Sequence, residues 1–481
     1  MSNINQIKKF IASSEYNWYS IEIPEGGKVN YSNKSLEIYL SKKLTSAQAL
    51  AILQQFHKTF DIALTQTGFA KAAERDIDDD TTNYDAVWVR DAVWVYYYLS
   101  EFNQRQAKVL INKLFAYYDS PQQKQRFEAV IKNPKIAEDK MAVPHVRFDS
   151  TSANYDDVII NGKPQVWNHK QVDAYGLFLL ALEDAYQKQI LDTNDSQLLI
   201  FLERFFSFFK SINYSEYADA GAWEEIDRVN TSSISLVANA SKRWKDSLSK
   251  KNLKLKVDLE LLYTQGINKV KNQIAYGGES PLYDLNDIRY RQSDAAMLHI
   301  FTPYFIEGLD FAEYQKSLAY IDALIRDYGV IRYVNDSYQA ANFWLDNRNI
   351  EKESLTDDAS TPEQFIQRAV GQLRDSEAQW FFDSMIALAM MNLYDKYPLQ
   401  IDKVSFFNKI VWHLKRALAQ MTGETAIAAD GHAVAAELLP ESINTVIFAD
   451  KKYFLASPIT PLNWAKASLA LALKKFSTYT E

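Results

Sequence analysis

The chain contains no cysteine. Disulfides, thiolate nucleophiles and Cys-ligated zinc are therefore excluded, and a reducing compartment is permitted. Histidine is scarce too, with six residues and no HExxH pattern, so the expectation is no metal and no cofactor. Glycine and proline, 14 and 12 of 481 residues, reach about half their usual share. A sandwich or propeller turns too often to manage with so few, whereas long helices need neither. Positive charge is short as well: 53 Lys and Arg against 61 Asp and Glu leave a net charge of −8, the opposite of a nucleic-acid-binding stripe. Uncharged apolar runs such as Ala174–Leu182 fall far short of the roughly 18 residues that span a bilayer. The first residues, MSNINQIKKFIASSEYNW, have neither the apolar stretch nor the cleavage pattern of a secretory leader. A soluble cytoplasmic protein that binds neither nucleic acid nor membrane is expected.

What the sequence does have is aromatic residues, 10 Trp, 29 Tyr and 26 Phe, enough to feed a large core or to line a cleft. Residues 1–45 read as a small β-rich appendage, because IEIPEGGKVNYSNKSLEIYL alternates around Gly26-Gly27. From Ser46 the period turns helical, with Leu50, Leu53, Phe56, Phe60 and Leu64 at spacings of three and four. Further helices are expected at about 87–101, 104–118, 122–132, 169–189, 195–212, 232–249, 254–274, 292–304, 310–325, 375–394, 402–420 and 461–476. Several, such as DAVWVYYYLSEF and DAYGLFLLALEDAY, are apolar on more than one face and must be buried. Such a mix suits an all-α fold of two concentric helical rings over residues 46–481, with the unusual residues in the connecting segments.

Three of those segments carry candidate chemistry. In GAWEEIDRVNTSS, Glu224 and Glu225 follow Trp223; a carboxyl beside an aromatic wall and a second carboxylate holds its proton more tightly, as a general acid must. Alternatively, the pair is a solvated acidic start to a helix. In NYDAVWVRDAVWVYYY, Arg90 and Asp91 sit in so apolar a setting that they must meet each other or a polar ligand. VWNHKQVDAYGLFLLAL brings Trp167, His169, Gln171 and Asp173 to the mouth of a buried helix. DIDDD at Asp76–Asp80 spells the DxDD of class II terpene cyclases, but its polar surroundings suit a solvated loop better.

WVRDAV, WNHKQVDAYG and GAWEEIDRVNTSS occur in an order that resembles glycoside hydrolase family 15, the glucoamylases and the related domain of phosphorylase kinase regulatory subunits. PHVRFD at Pro144–Asp149 is most similar to the kinase-subunit-related bacterial branch. VIRYVNDSY, EAQWFFDSMIALAM, LLPESIN and ITPLNWAKASLALAL extend the resemblance from about Asn83 to Leu473. The resemblance implies an (α/α)6 toroid and an inverting, exo-acting α-glucoside hydrolase whose partner is an oligosaccharide or α-glucan. It puts the general acid on Glu224 and the general base on Glu441, with Glu437 as the alternative base four residues earlier. Sugar contacts fall on Trp88, Arg90, Asp91, Trp167, Trp223, Glu225, Arg332 and Trp380, with Gln171 and Asp173 behind them. An inverting pair stands roughly 6.5–9.5 Å apart, leaving room for the water that the base activates. The competing expectation is a sugar-binding regulatory protein that lacks turnover; it prevails if neither Glu441 nor Glu437 faces Glu224.

Overall fold

The computed structural model describes residues 3–74, 84–160, 162–346, 359–370, 373 and 375–479. The segments apolar all round become the inner ring: Val89–Phe102, Val172–Gln187, Thr231–Lys250, Asp383–Lys396 and Asn463–Phe476, with a short 3-10 turn, Ala295–Ile300, in the fourth position. Each packs on the next and the last returns to the first, closing the ring. In the Val172–Gln187 helix every side chain from Val172 to Ala185 is buried, so no face remains for solvent. The outer ring consists of Ser46–Gln55, Gln104–Tyr118, Asp195–Ser211, Leu259–Tyr276, Phe311–Asp322 and Lys403–Ala419. These helices bury one stripe only: Ala107, Leu110, Ile111, Leu114, Tyr117 and Tyr118 in the second of them. The fold is an (α/α)6 toroid.

The two rings start differently. All six outer helices carry a side-chain N-cap, from Thr45, Asn103, Asn194, Asp258, Asp310 and Asp402. The five inner α-helices have no side-chain cap hydrogen bond. Their first turns gather at one end of the ring. Arg90 in the first inner helix bonds Asp173 in the second and Gly221 before the third, and Trp223 reaches Asp294 before the fourth and packs on Trp380 before the fifth. These helix starts, with their positive dipole ends, thus converge on one floor, and their first N–H groups bond neighbouring segments: Val89 to the Val146 carbonyl, Val172 to Asp219, Ser232 to Glu279 and Asn463 to the Ala72 carbonyl.

Some expected elements shift. Of residues 292–304 only Ala295–Ile300 is helical; Pro303, lacking an N–H, ends the run. The helix expected at 375–394 begins at Asp383, because Gln379–Trp380 joins a sheet with Ser442–Phe448 and Lys451–Ala456, a hairpin the helical reading passed over. Leu50 is exposed, and Ala49, Ile52, Phe56 and Phe60 form the inward face instead. Near the N-terminus, Tyr19–Glu22 and Lys28–Tyr31 form the expected hairpin. Asn3–Ile11, Lys34–Leu36 and Glu37–Leu40 are helical, the second capped by the Asn33 side chain, so the segment is less β-rich than expected. Val29, Tyr31 and Leu36 share the main core, and Glu25 pairs with buried Lys415 at 2.5 Å.

Candidate active site

The converging helix starts bring the sequence motifs together. A 3-10 turn, Gly221–Trp223, ends on Glu224, which takes the left-handed conformation at φ 60° and ψ 29°. A non-glycine residue there is strained, and such residues concentrate at functional sites. Gly221 is itself at φ 59°, and a Cβ on it would meet the Asn230 amide nitrogen at 2.8 Å. The Glu224 side chain keeps 17% exposure and accepts from Arg90 Nη1 at 3.4 Å. Burial raises its proton affinity, against the pull of Arg90 and Arg147.

Arg90 is held by the protein around it: Nε donates to Asp173 Oδ2 at 2.6 Å, and Nη2 to Gln171 Oε1 at 2.8 Å and the Gly221 carbonyl at 3.2 Å. Gln171 and Asp173, expected behind the sugar contacts, are the residues that orient it. Asp91 is buried with no hydrogen bond to another side chain among the described residues. Burial lifts its carboxyl to about 7, opposed by Arg90 and reinforced by Glu224.

Glu441 approaches from another part of the fold, immediately before the strand Ser442–Phe448, and its N–H donates to the Ile459 carbonyl at 2.9 Å. Its side chain is 3% exposed; Tyr84 donates to Oε1 at 3.1 Å and Gln339 Nε2 donates to Oε2. Burial pushes its carboxyl up to about 8, with the Gln339 and Tyr84 bonds pulling the other way and Asp91 adding to the rise. Asp91 therefore shares one electrostatic field with both Glu224 and Glu441, and Tyr84 also faces both. Glu437 lies apart: its N–H donates to the Thr422 carbonyl beyond an outer helix, and among the described residues no side-chain bond ties it to the cleft.

Aromatic rings wall the site. Trp88 packs on Tyr84 at 4.9 Å and meets Trp167 edge-on at 6.0 Å; Trp223 and Trp380 lie 6.1 Å apart, and Trp380 stacks on Phe382. Arg332 sits among Trp223, Tyr338 and Trp380, with Asp336 accepting from its Nε at 2.6 Å.

Glu225 corrects an expectation. It is fully buried and accepts from Tyr333 at 2.6 Å, Arg332 at 3.1 Å and Arg368, with Arg228 and Arg291 at 3.5 and 3.6 Å. Burial alone would raise its carboxyl, but Arg368, Arg332, Arg291 and Arg228 more than offset this and hold it well below the usual range. Facing inward to anchor arginines, it has no surface left for a sugar.

Sequence reasoning passed over Tyr84, Arg147, Gln339 and Arg368. The first two lie inside motifs already singled out, Tyr84 four residues before Trp88 and Arg147 in PHVRFD; Gln339 directly follows VIRYVNDSY, and Arg368 has no motif of its own. His145, Asp157 and His169 also come together, one ligand atom of each within 4.8 Å of the others; the imidazoles stack in parallel at 3.6 Å, His145 bonds Asp157 at 2.6 Å and the Met141 carbonyl at 3.0 Å, and His169 Nδ1 accepts from the Val146 N–H at 3.3 Å. The Asp76–Asp80 run lies outside the described residues.

No family model matches the chain. The fold is similar to the Saccharomycopsis fibuligera glucoamylase, with a TM-score of 0.52 and 12% identity over 91% of this chain and 97% of that one. A glycoside hydrolase family 15 glucoamylase from Hypocrea jecorina gives a TM-score of 0.53 and 13% identity over 89% and 72%. At such identity the likeness is one of fold. In sequence, 157 residues, 32% of the chain, are 38% identical to an uncharacterised lipoprotein, YgeQ, of Escherichia coli strain K12, and the match spans 57% of that protein. The cytoplasmic placement expected from the sequence is overturned by that relative, which is a lipoprotein. No helix among the described residues is long and apolar enough to cross a membrane.

Proposed function

We propose that the chain is an inverting, exo-acting α-glucoside hydrolase of glucoamylase type, with Glu224 as general acid and Glu441 as general base. The observation that carries this reading is the convergence of these two carboxyls, from segments far apart in sequence, on one aromatic-walled floor that also holds Asp91. Glycosidic cleavage needs a proton on the leaving oxygen and a carboxylate to activate water. Asp91, with an open carboxyl, and Arg90, with an Nη1 not wholly taken up, are suited to sugar hydroxyls, and Trp88, Trp167 and Trp223 to the apolar faces of pyranoses. The lipoprotein relative supports a setting at the envelope, so fractionation of producing cells should find the protein there rather than in the cytosol.

The test is incubation with maltooligosaccharides, isomaltose and trehalose, followed by NMR of the released sugar. Glucose should appear first as the β-anomer; α-glucose first would rule out inversion. One feature favours a second reading, a sugar-binding regulatory protein without turnover: burial pushes the Glu441 carboxyl up to about 8, which favours its protonated form at neutral pH. Under that reading the same sugars bind but are recovered intact even at mildly alkaline pH.

A further inference from the structure

Six arginines gather at the cleft. Arg90, Arg228, Arg291, Arg332 and Arg368 each have a carboxylate partner. Arg147 has none among the described residues, although it is 3% exposed. Its Nη1 donates to Gln165 Oε1 at 2.5 Å, and its Nε is buried without a partner. Trp88 and Trp167 clamp the guanidinium from two sides, its Cζ 4.4 and 4.2 Å from their ring centres. The pairing of Val87–Trp88 with Arg147–Phe148 sets Arg147 opposite Trp88, two residues before the Arg90 that touches Glu224. A buried cation with open donors and no counter-ion is unfavourable, so its retention calls for a compensating task. The charged and titratable groups facing it are Glu224, Tyr84, Asp85 and Asp157; those facing Glu224 are Arg90, Arg147, Asp91 and Tyr84.

We infer that Arg147 is a positioning residue for proton delivery: a fixed cation, clamped by two tryptophans, that stabilises the carboxylate Glu224 becomes as its proton leaves. The inference rests on the hydrolase reading. In that reaction the Glu224 proton bonds to the glycosidic oxygen, the C1–O electron pair departs with that oxygen, and water adds to C1 while giving its proton to Glu441. Negative charge therefore grows on Glu224 along the path to the transition state. Only an interaction that strengthens along that path speeds the step. Arg90 is already paired with Asp173, whereas Arg147 makes no ion pair among the described residues and acts through an interior of low dielectric.

The test compares wild type, R147M and R147K on maltose and on 2,4-dinitrophenyl α-glucoside, whose phenolate leaves without a proton. R147M should lower kcat on maltose about tenfold or more with KM within about threefold, yet slow the dinitrophenyl substrate by less than about threefold. R147K, which keeps the charge, should recover most of the maltose rate. Equal losses on both substrates, or no loss on maltose, overturn the inference and leave the hydrolase reading standing. A wild type inert on both substrates overturns that reading, and the inference with it. Should R147M not fold, R147Q carries the same comparison.

Discussion

Glu437 and Glu441 stand four positions apart in one loop, yet only the second reaches the cleft, because the strand that begins at Ser442 is held by Trp380 on one side and Ala456 on the other. The sheet orients Glu441 inward, where Tyr84 and Gln339 each donate to one of its oxygens and leave a lone pair on each for a water. Gln339 is pinned in turn: its Oε1 accepts from Asn444 and Ser457, each at 2.8 Å. E441Q should therefore reduce kcat by about a hundredfold or more, and E437Q by less than about threefold, in steady-state assays on maltose. The opposite ranking would move the base to Glu437. Because the base acts only as its carboxylate and the acid only when protonated, wild-type kcat/KM should follow a bell in pH with one limb near 8, the value burial imposes on Glu441. Both limbs in the ordinary carboxylate range would contradict that burial.

At the scale of elements, the ring depends on how closely inner helices approach. The Val172–Gln187 and Thr231–Lys250 helices touch at Gly176, where an added Cβ would meet Leu236 Cβ at 2.8 Å and the Leu236–Val237 backbone at 3.0 Å. Backbone cannot swing aside as a side chain can, so G176V should force the helices apart at a cost of about 1–3 kcal/mol. Because Asp173 and Gln171 at the start of that helix orient Arg90, activity should fall along with thermal stability. Unchanged melting would mean the helices have slack between them. The contrast between side-chain-capped outer helices and inner ones without such caps follows the same logic: outer starts face solvent and need local partners, whereas inner starts supply the floor of the site.

Across the whole molecule, several acids are buried without adequate counter-ions. Burial is the leading cause for each, raising Asp91 and Asp219 to about 7 and Glu279 and Glu441 to about 8. The folded state holds these protons to higher pH than the unfolded chain, so their contribution to stability is full below the unfolded carboxylate range and lost as pH rises through 7 to 8. Glu225 and Asp383 act oppositely, their arginine partners outweighing burial, and their contribution is lost in acid. The melting temperature should therefore be highest in mildly acidic buffer and decline past neutrality, as a series of melts across pH would record. A flat or rising curve above neutral pH would show these carboxyls to be better solvated than the fold implies.

Helix periodicity and scarce glycine and proline were enough to specify two rings, since a segment apolar on every face can only lie between other helices. The order of WVRDAV, WEE and LLPES likewise marked the segments that meet, because residue type and spacing survive in one dimension. Which member of a pair faces the cleft was a matter for the tertiary structure. Glu225 follows Glu224 directly, but a left-handed turn sends Glu224 to the open side and leaves Glu225 among four arginines drawn from distant segments. Nor could the sequence tell that Arg147 would be left without a counter-ion, because a missing partner is a property of the whole neighbourhood.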